Sequence, residues 1–315
     1  LLSITQPHII EGIHNEFLEA GAAIIETNTF NANPFSLEDY GLSDRVAEIN
    51  LAAANVARQS ADAFSTPDKP RIVAGAIGPS NITLSLSPDV NLPGFRTHRF
   101  EEVVEGYYQQ VASLVEGGVD ILLAETVFDS LTLKACLFAI EKFFSDWGNR
   151  IPLIVSGTFS DLSYRTLSGQ TPEAFWYSIE HIPLSAVGVN CGMAPQDMRP
   201  AIEELAQIVP VPFCCYLNAG LPNEMGAYDQ GPEQVAQTLR QYAEEGFINI
   251  IGGCCGTTPD HINAISRAVS DIAPRTPPTP KTTPHFSGID PFTIGPEDNF
   301  TLVGERTNIT GSRRF

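Results

Sequence analysis

The chain has 315 residues, 43% hydrophobic and 17% charged, so it has ample material for a buried core and wholesale disorder is excluded. Acidic residues outnumber basic ones 37 to 18, and the resulting net charge of −19 repels phosphate backbones and anionic lipid, arguing against nucleic-acid or membrane partners. No apolar run approaches the ~18 residues a membrane span needs, and the opening LLSITQPHII lacks the basic flank of a secretion signal.

In chain order, a helix is predicted over 7–20 and a strand over 22–30 (AAIIETNTF). A helix over 44–64 then leads to a strand over 71–79 (RIVAGAIGP), and a helix over 99–117 to a strand over 121–129 (ILLAETVFD). The alternation continues with a helix over 130–144, a strand over 152–159 (PLIVSGTF), a helix over 171–181 and a strand over 186–193 (AVGVNCGM). A helix over 194–209, a strand over 212–220 (PFCCYLNAG), a helix over 232–245, a strand over 248–257 (INIIGGCCGT) and a helix over 259–272 complete it. Each strand run is nearly continuous in apolar residues, as expected of parallel strands covered on both faces. Ser43-Asp44 and Thr258-Pro259-Asp260 carry helix-start chemistry.

Seven βα units with an additional helix in front of the first strand predict an α/β (β/α)8 TIM-type barrel whose first strand precedes residue 1. The chain therefore reads as a piece of a longer one. A doubly wound open sheet is the alternative, but no G-x-G-x-x-G phosphate turn supports it. Residues 273–284 (APRTPPTPKTTP) hold five prolines and read as a semi-rigid linker, with loop-like chain continuing to 299. Residues 300–315 begin with a strand-like FTLVG and read as the truncated start of another domain.

In such a barrel, reacting groups sit at the C-terminal strand ends. Those ends offer Glu26 to Thr29, Gly78-Pro79, Glu125-Thr126, Asn190-Cys191, Asn218 and Cys254-Cys255. Adjacent residues in a plain strand point to opposite faces, but Gly252-Gly253 and Gly256 bracket the last pair and allow the backbone to bring both sulfurs round. Three thiolates with a vacant fourth position describe a catalytic zinc site. Cys214 and Cys215 lie mid-strand and Cys136 in a helix, so these read as packing. Glu26 and Glu125 end apolar strands, where each is either salt-bridged or holds a cationic substrate group. With no secretion signal, the cysteines are expected to be reduced, in the cytoplasm.

The motifs IETNTF (25–30), GAIGP (75–79), ETVFD (125–129), SGQT (168–171), GVNC (188–191) and GGCCGT (252–257) resemble the homocysteine methyltransferase domain family. Within it, NAGLP (218–222) and the tail GERTNITGS (304–312) are similar to the cobalamin-dependent methionine synthases. The resemblance implies a homocysteine-binding zinc barrel over 1–272, a linker over 273–299, and the start of a methyltetrahydrofolate (pterin)-binding domain over 300–315. It implies Zn2+ on Cys191, Cys254 and Cys255, with Asn218 a fourth ligand when substrate is absent. Glu125 would hold the substrate ammonium, with Thr29 and Asn190 nearby. Homocysteine would accept a methyl group from methylcobalamin, carried by a module outside this chain. A betaine or sulfonium donor, and a non-catalytic barrel with structural zinc, are the alternatives. The family's first-strand DGAMGT-like motif is absent from this sequence.

Overall fold

A computed structural model describes residues 1–302 and residue 304. After a short helix α1 (Leu2–Thr5) and α2 (Pro7–Glu19), strands and helices alternate as the sequence predicts. β1 (Ile24–Glu26) is followed by the short α3 (Pro34–Glu38) and by α4 (Val46–Phe64), which a 3-10 turn at Ser43–Arg45 precedes. β2 (Ile72–Ile77), α5 (Phe100–Glu116), β3 (Ile121–Val127), α6 (Ser130–Trp147), β4 (Leu153–Gly157) and α7 (Pro172–Ile179) come next. β5 (Ala186–Asn190), α8 (Arg199–Ile208), β6 (Phe213–Leu217), α9 (Pro232–Glu244), β7 (Ile250–Gly253) and α10 (Pro259–Val269) finish the repeat. The strands are shorter than their apolar runs because the last residues of each run turn away into the loops that carry the chemistry.

All seven strands lie parallel in one sheet, in the order β1 to β7. The sheet curls until the helices beside its two free edges meet, with Asn263 Nδ2 of α10 donating to the carbonyl of Ala20 behind α2 (3.4 Å). Among the described residues β1 and β7 are not paired with each other, so the barrel is open at that seam. Alternation along each strand sorts the side chains. Ala74, Leu123, Ile154, Ala186 and Cys214 pack inside the curl. Val73, Leu122, Val155, Val187 and Cys215 face the helices in the main core. Burying both faces at roughly 1.5–3 kcal/mol per aliphatic side chain explains why the runs read as continuous rather than alternating.

Two features beyond α10 differ from expectation. The Pro-rich segment is not a free spacer: Arg275 is buried, and its guanidinium donates to the carbonyls of Ala206, Val209 and Val211 at the end of α8. A cation there satisfies carbonyls that the helix end leaves without partners. Residues 285–299, expected to be loop, contain an antiparallel hairpin, β8 (His285–Ser287) with β9 (Pro291–Thr293). It lies on α7, with the ring of His285 stacked on Tyr177 at 4.0 Å between centroids. Phe300 to Leu302 form no strand. Residue 303 and residues 305–315, which carry nearly all of GERTNITGS, lie outside the described residues.

Candidate metal centre

The sulfurs of Cys191, after β5, and of Cys254 and Cys255, after β7, all lie within 4.8 Å of one another at the C-terminal end of the sheet. Cys191 and Cys255 are 3.8 Å apart and Cys254 and Cys255 3.9 Å. Two thiolates on one tetrahedral zinc, each bonded at about 2.3 Å, stand about 3.8 Å apart, so the spacing fits such an ion. The donor set and its geometry suit zinc, with one position left for a further ligand.

The backbone makes this convergence in two ways. Cys254 continues the inward-facing register of β7 and packs against the interior cluster. A turn then reverses the chain, closed by Thr257 Oγ1 donating to the Cys254 carbonyl (2.7 Å), and it swings Cys255 back beside its neighbour. Gly256 has φ +78° in that turn, the glycine-dependent bend that the GGCCGT motif led us to expect. At Cys191 no glycine is present, and the cysteine itself takes a left-handed φ of 58°, followed by Gly192 at 74°. A Cβ on Gly192 would stand 2.3 Å from the Phe159 carbonyl, so the β4–α7 loop presses directly on this bend. A left-handed non-glycine residue is strained and persists only where its surroundings hold it.

Asn190 and Asn218 supply much of that hold. Asn190 is fully buried; its Oδ1 accepts from the Thr126 amide (2.9 Å) and Ser156 Oγ (2.7 Å). Its Nδ2 donates to Thr126 Oγ1 (2.7 Å) and reaches Cys254 Sγ at 3.9 Å. Asn218 joins the two ligand loops, donating to the Gly192 carbonyl (3.3 Å) and accepting from the Cys255 amide (3.1 Å). The thiols differ sharply in acidity. A hydrogen bond from Cys254, outweighing the burial that works against ionisation, lowers Cys191 from 9.0 to about 5, with the Gly192 amide, Asn218 and Cys255 assisting. Cys254, giving that bond, is raised.

Glu125 points into the barrel beside this cluster and is 4% exposed. Burial holds its carboxyl well above the ordinary range, Glu26 adds repulsion, and the Tyr216 hydroxyl at 3.2 Å offsets part of it. Glu26 faces the same interior from the edge strand β1. Crowding by protein raises its carboxyl to about 7, although the residue as a whole remains open to solvent. Among the described residues neither carboxylate has a salt-bridge partner. Thr29 is buried, and its hydroxyl donates to the Ala76 carbonyl (2.6 Å) while sharing a hydrogen bond with Thr27, so it holds β1 onto β2. Gly78 lies against Phe30, whose carbonyl accepts from its amide (3.0 Å).

Cys214 is buried inside the curl and Cys215 among the helices, as expected of packing residues, and burial pushes Cys214 up to about 12. Cys136 is likewise buried in α6. Tyr216 and Ser156 were missed from sequence. Their inward positions follow from the same alternation that places Cys214, two residues before Tyr216.

The sequence matches the family model for Homocysteine S-methyltransferase over residues 1–269. Among solved structures, the metallated form of the homocysteine methyltransferase MmuM from Escherichia coli superposes with a TM-score of 0.67 at 24% identity, covering 84% of this chain and 86% of that one. Its oxidized form gives a TM-score of 0.68 at 21% identity, with the same coverage of both chains. The 6-hydroxypseudooxynicotine amine oxidase HisD from Pseudomonas geniculata N1 also shares the fold, with a TM-score of 0.52 at 12% identity over 86% of this chain and 46% of that one. Fold likeness at this level therefore does not assign chemistry. The family match does more, because it spans every strand of the sheet and all three clustered cysteines: the chain belongs to the homocysteine S-methyltransferase family.

Proposed function

We propose that this barrel methylates the sulfur of homocysteine, with Cys191, Cys254 and Cys255 holding a zinc ion whose open position receives the substrate thiol. The observation that carries the reading is the tri-thiol cluster, with two sulfur–sulfur spacings of 3.8 and 3.9 Å and an unpaired buried carboxylate beside it. When bound, zinc at such a site supplies the positive charge that keeps an incoming thiol deprotonated at neutral pH. The chain's own residues do the rest. Asn190 and Asn218 fix the ligand loops, so little ordering remains when substrate arrives. By the family resemblance Asn218 would also be the fourth ligand before substrate binds, its Oδ1 then giving up the Cys255 amide. Glu125 faces the substrate ammonium from inside the barrel. An amino-acid cation there recovers the cost of burying that carboxylate. Thr29 and Asn190 shape the wall on either side.

For the methyl donor, the likeness of NAGLP and GERTNITGS to cobalamin-dependent methionine synthases favours methylcobalamin presented by another module, with methyltetrahydrofolate supplying methyl groups upstream. Zinc analysis and calorimetric titration with homocysteine test the site. Cys254→Ser should lose the metal and homocysteine binding together while keeping its circular dichroism. Unchanged zinc content and affinity would end the assignment. Parallel turnover assays with methylcobalamin, a methylsulfonium and betaine identify the donor, and turnover with betaine alone would refute the corrinoid.

A further inference from the structure

Cys191 is not the only residue at the barrel mouth that bends without a glycine. Thr126, directly after Glu125, takes a left-handed φ of 58° although its side chain is β-branched. The pairing of β3 with β4 slips between Ala124 and Val127, so Glu125 sits in a bulge. Bulges re-aim side chains, and strained backbone persists where its surroundings over-determine it. Asn190 holds Thr126, bonding its amide (2.9 Å) and its hydroxyl (2.7 Å). Glu125 is therefore directed into the barrel from a fixed base.

Its tip is fixed from the opposite wall. The Tyr216 hydroxyl donates to Glu125 Oε2 (3.2 Å), and among the described residues no other group hydrogen-bonds this carboxylate. In the sheet β4 and β5 lie between β3 and β6, so the bond crosses the interior rather than joining neighbours. Gly252 makes room for the tyrosine on the next strand: a Cβ there would stand 3.3 Å from the Cβ of Tyr216. The backbone of β6 reaches the thiols as well. The Tyr216 carbonyl accepts from the Cys191 amide (3.3 Å), and the Leu217 carbonyl accepts from the Cys254 amide (2.7 Å). One residue thus touches both the buried carboxylate and a loop of the tri-thiol cluster.

We propose that Tyr216 is a positioning residue for substrate selection: it holds the Glu125 carboxylate in register with the cysteine cluster, so that the site favours a thiol carrying an amine over the same thiol without one. The inference rests on the reading of Glu125 as the partner of the substrate ammonium. A donor fixed on one carboxylate oxygen orients the group before substrate arrives, so that binding spends little on ordering it.

The test titrates the zinc-loaded chain by calorimetry with homocysteine and with 4-mercaptobutyrate, which is homocysteine without its amine. Wild-type protein should prefer homocysteine. Tyr216→Phe removes one oxygen atom and keeps the ring and the backbone contacts. Homocysteine should then bind about tenfold more weakly, the lower end of what a hydrogen bond to a charged group contributes, with 4-mercaptobutyrate affinity and zinc content unchanged. In a Glu125→Gln background the same substitution should leave the ratio of the two affinities where it stands. An unchanged ratio in Tyr216→Phe overturns the proposal, and so does an equal loss for both thiols, which would mark a merely structural role. A further fall of the ratio in the Glu125→Gln background also overturns it, because the tyrosine would then act other than through Glu125. Wild-type protein that binds both thiols equally would instead bring down the ammonium role of Glu125, and the proposal with it.

Discussion

The same dipeptide occurs twice on neighbouring strands, with opposite outcomes. Cys214-Cys215 lies inside β6, so its side chains point to opposite faces, one into the curl and one among the helices. Cys254-Cys255 begins where β7 ends, and a turn containing Gly256 folds its sulfurs to 3.9 Å from each other. Residue identity is constant between the two pairs, and so is the sheet that carries them. Backbone direction separates two buried thiols on opposite faces of a strand from two whose sulfurs meet in a cluster that could hold a metal.

Substitution should expose this difference most strongly at the ligand pair. Cys254→Ser is expected to weaken zinc binding by at least about 100-fold, beyond what loss of an outer partner costs, as read by chelator competition. Cys214→Ser should leave it unchanged, and equal zinc loss in both variants would erase the contrast.

A second test uses acidity in metal-free protein. Cys191, lowered to about 5, stays a thiolate above that pH, whereas burial raises Cys214 to about 12 and Cys215 higher still. Iodoacetamide near pH ~7 should therefore label Cys191 at least about 100-fold faster than either, with labelling falling as pH drops through about 5. The sign for stability follows. A thiol whose folded value lies below its ordinary 9.0 contributes stability above that value and loses it as pH falls through about 5. Reaction of Cys214 at a comparable rate would show that β6 is not the closed strand described.

Smaller effects should come from the partners. Asn190→Ala removes the contact to Cys254 and the bonds that fix Thr126, and should lower zinc affinity about 10- to 100-fold with the ligands intact. Smallest is Cys215→Ser. Zinc should be unaffected and denaturant stability should fall by about 1–3 kcal/mol, the cost of burying an unpaired hydroxyl. A larger change in metal than in stability would place Cys215 in the site's support.

Much of this was legible in the sequence. Seven apolar runs gave the strands, and GGCCGT announced its own bend because glycine is the residue that such a bend uses. Cys191 was located by its strand end, yet its left-handed backbone carries no glycine signal, because the pressure from Phe159 and the bonds of Asn218 are tertiary. Tyr216 and Ser156 depend on cross-strand register, which a single strand does not declare. The hairpin was missed for a related reason: strands of three residues are held by α7 and the β4–α7 loop rather than by their own propensity.

That hairpin also bears on where this protein can be cut. Its tip grips the β4–α7 loop, through the ion pair of Asp290 with Arg165 (2.7 Å), the Gly288 carbonyl accepting from Gln170 (2.8 Å) and the Ile289 carbonyl accepting from the Thr171 amide (3.1 Å). The other end of the loop is Phe159, which abuts Gly192 next to Cys191 of the tri-thiol cluster. A recombinant fragment stopped at residue 272 would retain all seven strands of the parallel sheet and every cysteine, yet forfeit both the clamp and the Arg275 anchor. Its functional edge thus falls some twenty residues past its last barrel helix, and trimming by helix count would return a folded but slackened site.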